Sequence, residues 1–186
     1  MRVTAQVQTA TRRRILEVAQ ELFASQGFDA TTTRDIAKAA GIATGTMFNY
    51  FSSKESVVGS LAAEALADLG EGFNDGNREG PSLEEELFAF IAAGLRKLKP
   101  LRKHLPVVLG TALSPVCANV DDDCCRLRAS HLETIAQLAH RHGLKEFPTM
   151  ALQIYWSLYA GLLLFWHVPP SRGHAGPLGP FVRDVG

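Results

Sequence analysis

Apolar residues recur every three or four positions along most of the chain, and no segment shows the two-residue alternation of a half-buried strand. This spacing predicts helix after helix, so the expected fold class is all-α. Glycines and prolines, which end or break helices, mark the ends of the predicted helices. The predicted helices cover approximately residues 9–26, 33–41, 44–50, 54–73, 83–98, 121–142 and 148–167.

The breaks in the helical pattern also suggest a domain organisation. The pattern predicts an N-terminal domain over residues 1–53 and a larger helical domain over 54–168. Residues 70–82, "GEGFNDGNREGPS", have the composition of a linker, and residues 169–186 form a Gly- and Pro-rich tail.

One short stretch, "DIAKAAGIATGTMFNYF" at residues 35–51, places a glycine between two short helical segments. Ile36, Ile42 and Met47 provide the apolar contacts, and Gly41 stands where the chain must turn sharply. Two helices that cross through a short turn with glycine form a helix-turn-helix. The second helix of this motif is the one that enters the DNA major groove.

Charge and composition narrow the choice of function. The net charge of the 186 residues is zero, but residues 1–54 hold seven Lys or Arg against four Asp or Glu, a net +3, and the remainder is −3. That asymmetry indicates a polyanion-binding end. The three cysteines and the absence of an apolar N-terminal leader predict a reduced, cytoplasmic protein.

The segment "RRRILEVAQELFASQGFDATTTRDIAKAAGIATGTMFNYFSSKESVV" resembles the N-terminal domain of the TetR (tetracycline-repressor) family of bacterial transcription regulators. The resemblance covers residues 9–60. It implies a three-helix DNA-binding domain followed by a larger helical domain for ligand binding and dimerisation. The implied function is a homodimeric repressor that a small, mainly apolar ligand releases from an inverted-repeat operator in double-stranded DNA.

The resemblance also implies a set of DNA-binding residues at the start of the second helix, in the recognition helix and at the start of the fourth helix. These residues are Thr33, Arg34, Thr44, Gly45, Thr46, Phe48, Asn49, Tyr50 and Lys54. Two positions depart from the family pattern, which usually has a basic residue at Thr44 and a tyrosine at Phe48. Arg12 and Arg13 in the first helix are candidates to compensate.

The helix predicted over 148–167 is apolar on nearly all sides, so it must be buried on two sides. We expect one side to face its own domain and the other to face a second copy, with helix 121–142 completing the homodimer interface. Full burial within a monomer and a membrane span are the alternatives, because 19 residues lie near the spanning length; no membrane partner is predicted.

An unknown small-molecule effector is expected in the second domain. Candidate lining residues are apolar, or are histidines on apolar faces: Phe88, Ile91, Leu95, His104, Leu105, His131, Trp156 and Tyr159. His131 follows the apolar stripe of its helix and should face inward, either as a polar group in a ligand cavity or as a histidine satisfied by a carbonyl or water.

Other chemistries are less favoured. Cys117, Cys124 and Cys125 lack zinc-finger spacing with the histidines, so no metal site or cofactor is predicted, and thiol redox sensing stays an alternative. The sequence contains no nucleophile elbow or phosphate-binding loop, so no enzyme is predicted. The rival functions are a DNA-binding dimer without a ligand and a helical interaction or membrane-anchored protein.

Overall fold

The computed structural model describes residues 5–67, 69–70, 73, 82–106, 109, 123–144 and 148–167. The chain divides into two compact units, Met1–Leu61 and Ala62–Gly186. The division falls within the fourth helix, whereas the sequence pattern had placed it at residue 53. The predicted tail and most of the predicted linker lie outside the described residues.

All regular secondary structure in the described ranges is helical. The α-helices are α1 (Ala5–Ser25), α2 (Thr33–Ala39), α3 (Thr44–Met47), α4 (Lys54–Leu66), α5 (Leu83–Leu98), α6 (Asp123–Arg141) and α7 (Thr149–His167), and a 3₁₀ helix covers Lys99–His104. This agrees with the all-α prediction and with most of its element positions.

Three helix ends differ from the predicted ones. Helix α1 begins four residues earlier, where the hydroxyls of Thr9 and Thr11 donate to carbonyls one turn back. Helix α3 ends at Met47 rather than residue 50, because the amides of Asn49 and Tyr50 bond three residues back instead of four. The same tightening ends α4 at Leu66 rather than near residue 73.

The first unit is organised around the inward face of α1. Ile15 and Ala19 are fully buried there, and α2 and α3 bury Ile36 and Met47 against the same core. Helix α2 begins with a reciprocal cap: the Thr32 hydroxyl accepts from the Asp35 amide, and the Asp35 carboxylate accepts from Thr32. The hydrogen bonds from Thr32 lower the pKa of Asp35.

Helix α2 ends in a left-handed turn at Gly41, whose φ is +72°. The Gly41 amide donates to the Lys38 carbonyl over 3.1 Å and the Ile42 amide to the Ala37 carbonyl over 3.0 Å. This is the Schellman pattern, which satisfies the last carbonyls of the helix and redirects the chain within two residues. Helix α3 therefore starts at a fixed angle only three residues later.

In the second unit, α5 packs against α6 and the 3₁₀ helix, and α7 packs against α6 and the 3₁₀ helix. Helix α5 buries Phe90, Leu95 and Leu98, while Phe88 points outward and is 55% exposed. Its buried face also includes Glu86, which accepts from Arg141 over 3.3 Å and lies 3.1 Å from the His142 ring nitrogen. The buried face of this helix therefore runs through Glu86, Phe90 and Leu98 and leaves Phe88 outside it.

Helix α7 has one buried and one exposed apolar face. Trp156, Tyr159 and Trp166 are buried within the unit. The opposite face carries an exposed apolar stripe at helical spacing, formed by Met150, Ile154, Leu158, Gly161 and Phe165. By length and composition this helix could cross a membrane. Only 28% of its apolar 18-residue window is buried within the chain. Burial of both faces within one chain, one of the sequence alternatives, is therefore not what the structure has.

We expect Gly41→Ala to lower the free energy of unfolding of the first unit by about 1–2 kcal/mol, because an L side chain is strained at positive φ. Gly45→Ala is the matched control. A Cβ at either position meets no atom within 4 Å. Gly45 lies in a helix, however, where replacement by alanine raises the free energy of unfolding by up to about 1 kcal/mol. Urea unfolding followed by circular dichroism measures both. Equal effects at the two glycines would contradict a conformational role for Gly41.

Candidate nucleic-acid interface and ligand pocket

Helix α3 and the turn after it present a mixed surface. Met47 and Phe51 are buried at 0% and 3% exposure and anchor the segment in the core. Between them, Phe48 is 51% exposed and Asn49 is also exposed. The two inward anchors therefore hold an outward face on which side chains are available to a partner.

The other predicted DNA-binding residues of the helix-turn-helix also reach the surface. Gly45 is exposed, and Thr44, Thr46 and Tyr50 are half-buried. On α2, Thr33 is half-buried and Arg34 is exposed. Short hydroxyl and amide side chains at such a surface suit hydrogen bonds to phosphates and base edges.

Lys54 is half-buried, and its ammonium group makes its contacts within the first unit. Its ammonium donates to the Phe28 carbonyl over 2.8 Å and to the Thr31 carbonyl over 3.2 Å, and it lies 4.2 Å from the centre of the Phe28 ring. The structure thus gives Lys54 a role in closing the loop between α1 and α2. The phosphate contact implied by the family resemblance stays a prediction.

Arg12 is also used inside the first unit. Its guanidinium lies 4.7 Å over the Phe51 ring and donates to the Ser60 hydroxyl over 3.1 Å. Arg13 is exposed and pairs with Glu17 over 3.1 Å. The expectation that Arg12 supplies a compensating DNA contact is therefore not supported, because its charge stabilises the α1–α4 packing.

The second unit contains a small cavity between α4, α5 and α6. Its lining residues are Leu66, Leu69, Gly70, Phe90, Leu127, Ser130, His131 and Thr134. The free space is about 10 Å³, close to what one water molecule needs. Ser130, one of the lining residues on α6, is exposed. The cavity is mainly apolar, with hydroxyl groups and one imidazole.

His131 lies between the cavity and a cluster of aromatic rings. Its Nε2 atom is 2.9 Å from the Tyr155 hydroxyl, and its ring centre is 4.4 Å from that of Tyr159 and 4.9 Å from that of Phe90. Burial lowers the pKa of His131 to about 4, and burial raises the pKa of both tyrosines. The cluster is therefore neutral at pH 7.

The structure brings together three predicted pocket residues, His131, Trp156 and Tyr159. Leu95 and Leu105 are buried, and Ile91 and His104 are half-buried. Phe88 is the clear departure: it is mostly exposed, and Phe90 lines the cavity in its place. Phe88 lies outside the buried face of α5, which includes Glu86 and Phe90.

Sequence analysis missed most of the cavity wall. Leu127 and Thr134 lie one turn from His131 on either side, and Ser130 directly precedes it, so position relative to that histidine was the available signal. Leu66, Leu69 and Gly70 had no comparable signal, because they meet α6 through tertiary packing. A Cβ on Gly70 would lie only 2.7 Å from the Thr134 hydroxyl oxygen.

No group of three or more metal-ligating side chains occurs in the described residues. Cys125 is disulfide-bonded. The expectation of reduced thiols is therefore wrong for this residue, since its sulfur lies within bonding distance of a second one.

Comparison with known proteins decides the family. The family profile described as "Bacterial regulatory proteins, tetR family" matches residues 15–61. The putative mycofactocin biosynthesis transcriptional regulator MftR of Mycobacterium tuberculosis is 30% identical over 155 residues, which cover 81% of this chain and 75% of that protein. The chain belongs to the TetR family. The helix-turn-helix of this TetR-family chain is accordingly a DNA-binding element of a transcriptional regulator, not part of an enzyme.

Two further relatives show how far the similarity extends. The transcriptional repressor KstR2 of Rhodococcus jostii is 48% identical over 58 residues, but these cover 31% of this chain and only 28% of that protein. The solved structure of Thermus thermophilus FadR, a TetR-family repressor in complex with lauroyl-CoA, superposes with a TM-score of 0.65 at 25% identity. It covers 94% of this chain and 90% of FadR.

Phe48→Tyr should raise the affinity of this TetR-family protein for duplex DNA roughly threefold to tenfold. The added hydroxyl sits on an exposed ring and offers one more hydrogen bond to a phosphate, worth about 0.5–1.5 kcal/mol. Fluorescence anisotropy at fixed salt measures the change. The matched control is Phe88→Tyr, an equally exposed phenylalanine in the second unit. Unchanged affinity of the Phe48 variant would show that the ring does not face DNA.

His131 makes the second unit sensitive to acid. Because its pKa falls from 6.5 in the unfolded chain to about 4 in the folded one, its stabilising contribution is complete above about pH 6.5 and is lost as the pH falls toward 4. Between pH 7 and 5 the free energy of unfolding should drop on the order of 2 kcal/mol more in the wild type than in His131→Gln.

Urea unfolding at the two pH values tests this difference, with His140→Gln on the exposed side of α6 as the control. The control should keep the wild-type pH dependence. Parallel pH profiles for wild type and His131→Gln would mean that the imidazole is not held neutral.

Proposed function

We propose that this chain is a homodimeric transcriptional repressor that binds an inverted-repeat operator. In this proposal a small, mainly apolar ligand binds in the second unit and releases the protein from DNA. The observation that carries the proposal is the surface after Gly41, where buried Met47 and Phe51 hold Phe48 and Asn49 outward. The DNA-binding residues implied by the resemblance, Thr33 to Lys54, remain part of the proposal.

The exposed apolar stripe of α7 supports the dimer part of the proposal. Leu158 is 70% exposed and Met150 72% exposed, a surface that water solvates poorly. Gly161 lies within the stripe and leaves room for close approach, since nothing lies within 4 Å of its would-be Cβ. We therefore propose that α7, together with α6, pairs with the same helices of a second copy. Two such copies present two recognition surfaces, which suits an inverted repeat.

The ligand part rests on the cavity beside His131 and on the likeness to FadR, whose solved structure contains lauroyl-CoA. In this structure the cavity has room for about one water molecule, so a ligand must displace wall side chains to enter. That small size favours the rival reading, a DNA-binding dimer without a ligand. A ligand acts only if it binds one dimer conformation better than the other.

We place the protein in the cytoplasm, where operator DNA is found in bacteria. The apolar helix α7 is then covered by a second copy rather than by lipid.

The decisive experiment is selection of random duplex DNA by the purified protein at roughly physiological salt, where non-specific attraction to phosphates is weak. We expect enrichment of an inverted repeat with half-sites about one helical turn apart or a multiple of it. Enrichment of a single half-site would contradict the dimer, and no enrichment by a folded protein would contradict operator binding.

Leu158→Lys should convert the dimer to a monomer and abolish the inverted-repeat selection, because it places a charge in the α7 stripe. Leu144→Lys, at an exposed leucine just after α6, is the matched control and should stay dimeric. Light scattering gives the oligomeric state of each. A monomeric wild type, or one that requires detergent, would favour the membrane-anchored alternative. Loss of the selected duplex on addition of methyl laurate, a small and mainly apolar probe, would support ligand release.

A further inference from the structure

The Tyr159 hydroxyl is a buried polar group without a hydrogen-bond partner in the described part of the chain. The residue is 4% exposed, and its oxygen is fully removed from solvent. Its neighbour Tyr155, whose ring stacks on it at 6.1 Å, bonds to His131 instead. A buried hydroxyl normally has a hydrogen-bond partner, so an unpaired one calls for an explanation. A bound ligand with a hydrogen-bond acceptor would supply the missing partner.

The position of this hydroxyl connects it to the cavity. A Cβ added to Gly94 would lie 3.3 Å from the Tyr159 oxygen, 3.4 Å from Leu69 and 3.8 Å from Leu66. Both leucines also line the cavity, as does His131, whose ring lies 4.4 Å from the Tyr159 ring in a tilted arrangement. The hydroxyl therefore lies behind the leucine wall of the cavity, where a ligand that displaces those side chains reaches it.

In the described part of the chain, no Lys or Arg side chain lines the cavity. Arg128 lies over the Trp156 ring, Arg102 donates to the Trp166 carbonyl, and Arg141 pairs with Glu86. A carboxylate brought into this site would lose its hydration without gaining a counter-charge.

Building on the proposed function, we infer that the effector is a neutral, largely apolar molecule with one hydrogen-bond acceptor, such as an ester, thioester or ketone carbonyl. The Tyr159 hydroxyl donates to that carbonyl oxygen. The same site rejects the corresponding free acid. Tyr159 is thus a ligand-recognition residue, and its unsatisfied state without ligand is the cost of that recognition.

Direct binding to the purified protein tests the inference without DNA, so its outcome is separate from that of operator selection. The probes are methyl laurate, laurate and tridecane, which share an alkyl chain and differ in charge and acceptor. Each is titrated at pH 7 with Trp fluorescence and thermal shift as readouts. We expect methyl laurate to bind at least tenfold more tightly than laurate and more tightly than tridecane.

Tyr159→Phe should weaken the binding of methyl laurate roughly threefold to tenfold, which is the value of one neutral hydrogen bond. The affinity for tridecane should not change. Without ligand this variant should melt at the same temperature as the wild type or higher, because it removes an unpaired buried hydroxyl. Tyr155→Phe is the matched control: it should lower the melting temperature, since it breaks the bond to His131, without changing the preference for methyl laurate over tridecane.

Three results would overturn the inference. Laurate could bind as well as its ester, Tyr159→Phe could leave ester affinity unchanged, or none of the three probes could bind. The last result together with successful operator selection would favour the ligand-free DNA-binding dimer. A lower melting temperature of Tyr159→Phe without ligand would show that the hydroxyl has a structural partner.

Discussion

The left-handed turn at Gly41 is the constraint on which the DNA-binding unit depends. It ends α2 with two backbone bonds to Ala37 and Lys38 and starts α3 three residues later. Helix α3 has only four residues, too few to hold a shape by its own hydrogen bonds. Its orientation comes instead from the turn before it and from the buried Met47 and Phe51 around it. The recognition surface is therefore set by backbone geometry on one side and by core packing on the other.

Local sequence signals predicted much of this arrangement. The turn at Gly41 and the burial of Met47 each follow from residues close by in the sequence. Long-range contacts were not predictable in the same way. Lys54 bonds to carbonyls 23 and 26 residues away, and Arg12 reaches a hydroxyl 48 residues away. A basic residue in the sequence gives no sign of whether its charge faces solvent or a carbonyl, so both were assigned to the DNA surface.

In the second unit, too, the packing of the helices could not be predicted from the sequence alone. The spacing of α5 fits more than one helix face, and a buried Glu86 with Arg141 and His142 decides between them. That choice moves Phe88 outward and Phe90 inward. By contrast, His131 was correctly predicted to face inward, since its own helix carries an unambiguous apolar stripe. Its partners Tyr155 and Tyr159 come from α7, and only the tertiary structure brings them to it.

The exposed stripe of α7 has a consequence for gene control. In the proposed dimer a second copy covers this surface, so assembly depends on protein concentration, because association is governed by mass action. Below the dissociation constant of the dimer, the amount of DNA-binding species rises with the square of the protomer concentration. A cell that halves its supply of such a regulator then loses about three quarters of the active form, which gives a sharper response than a monomer could.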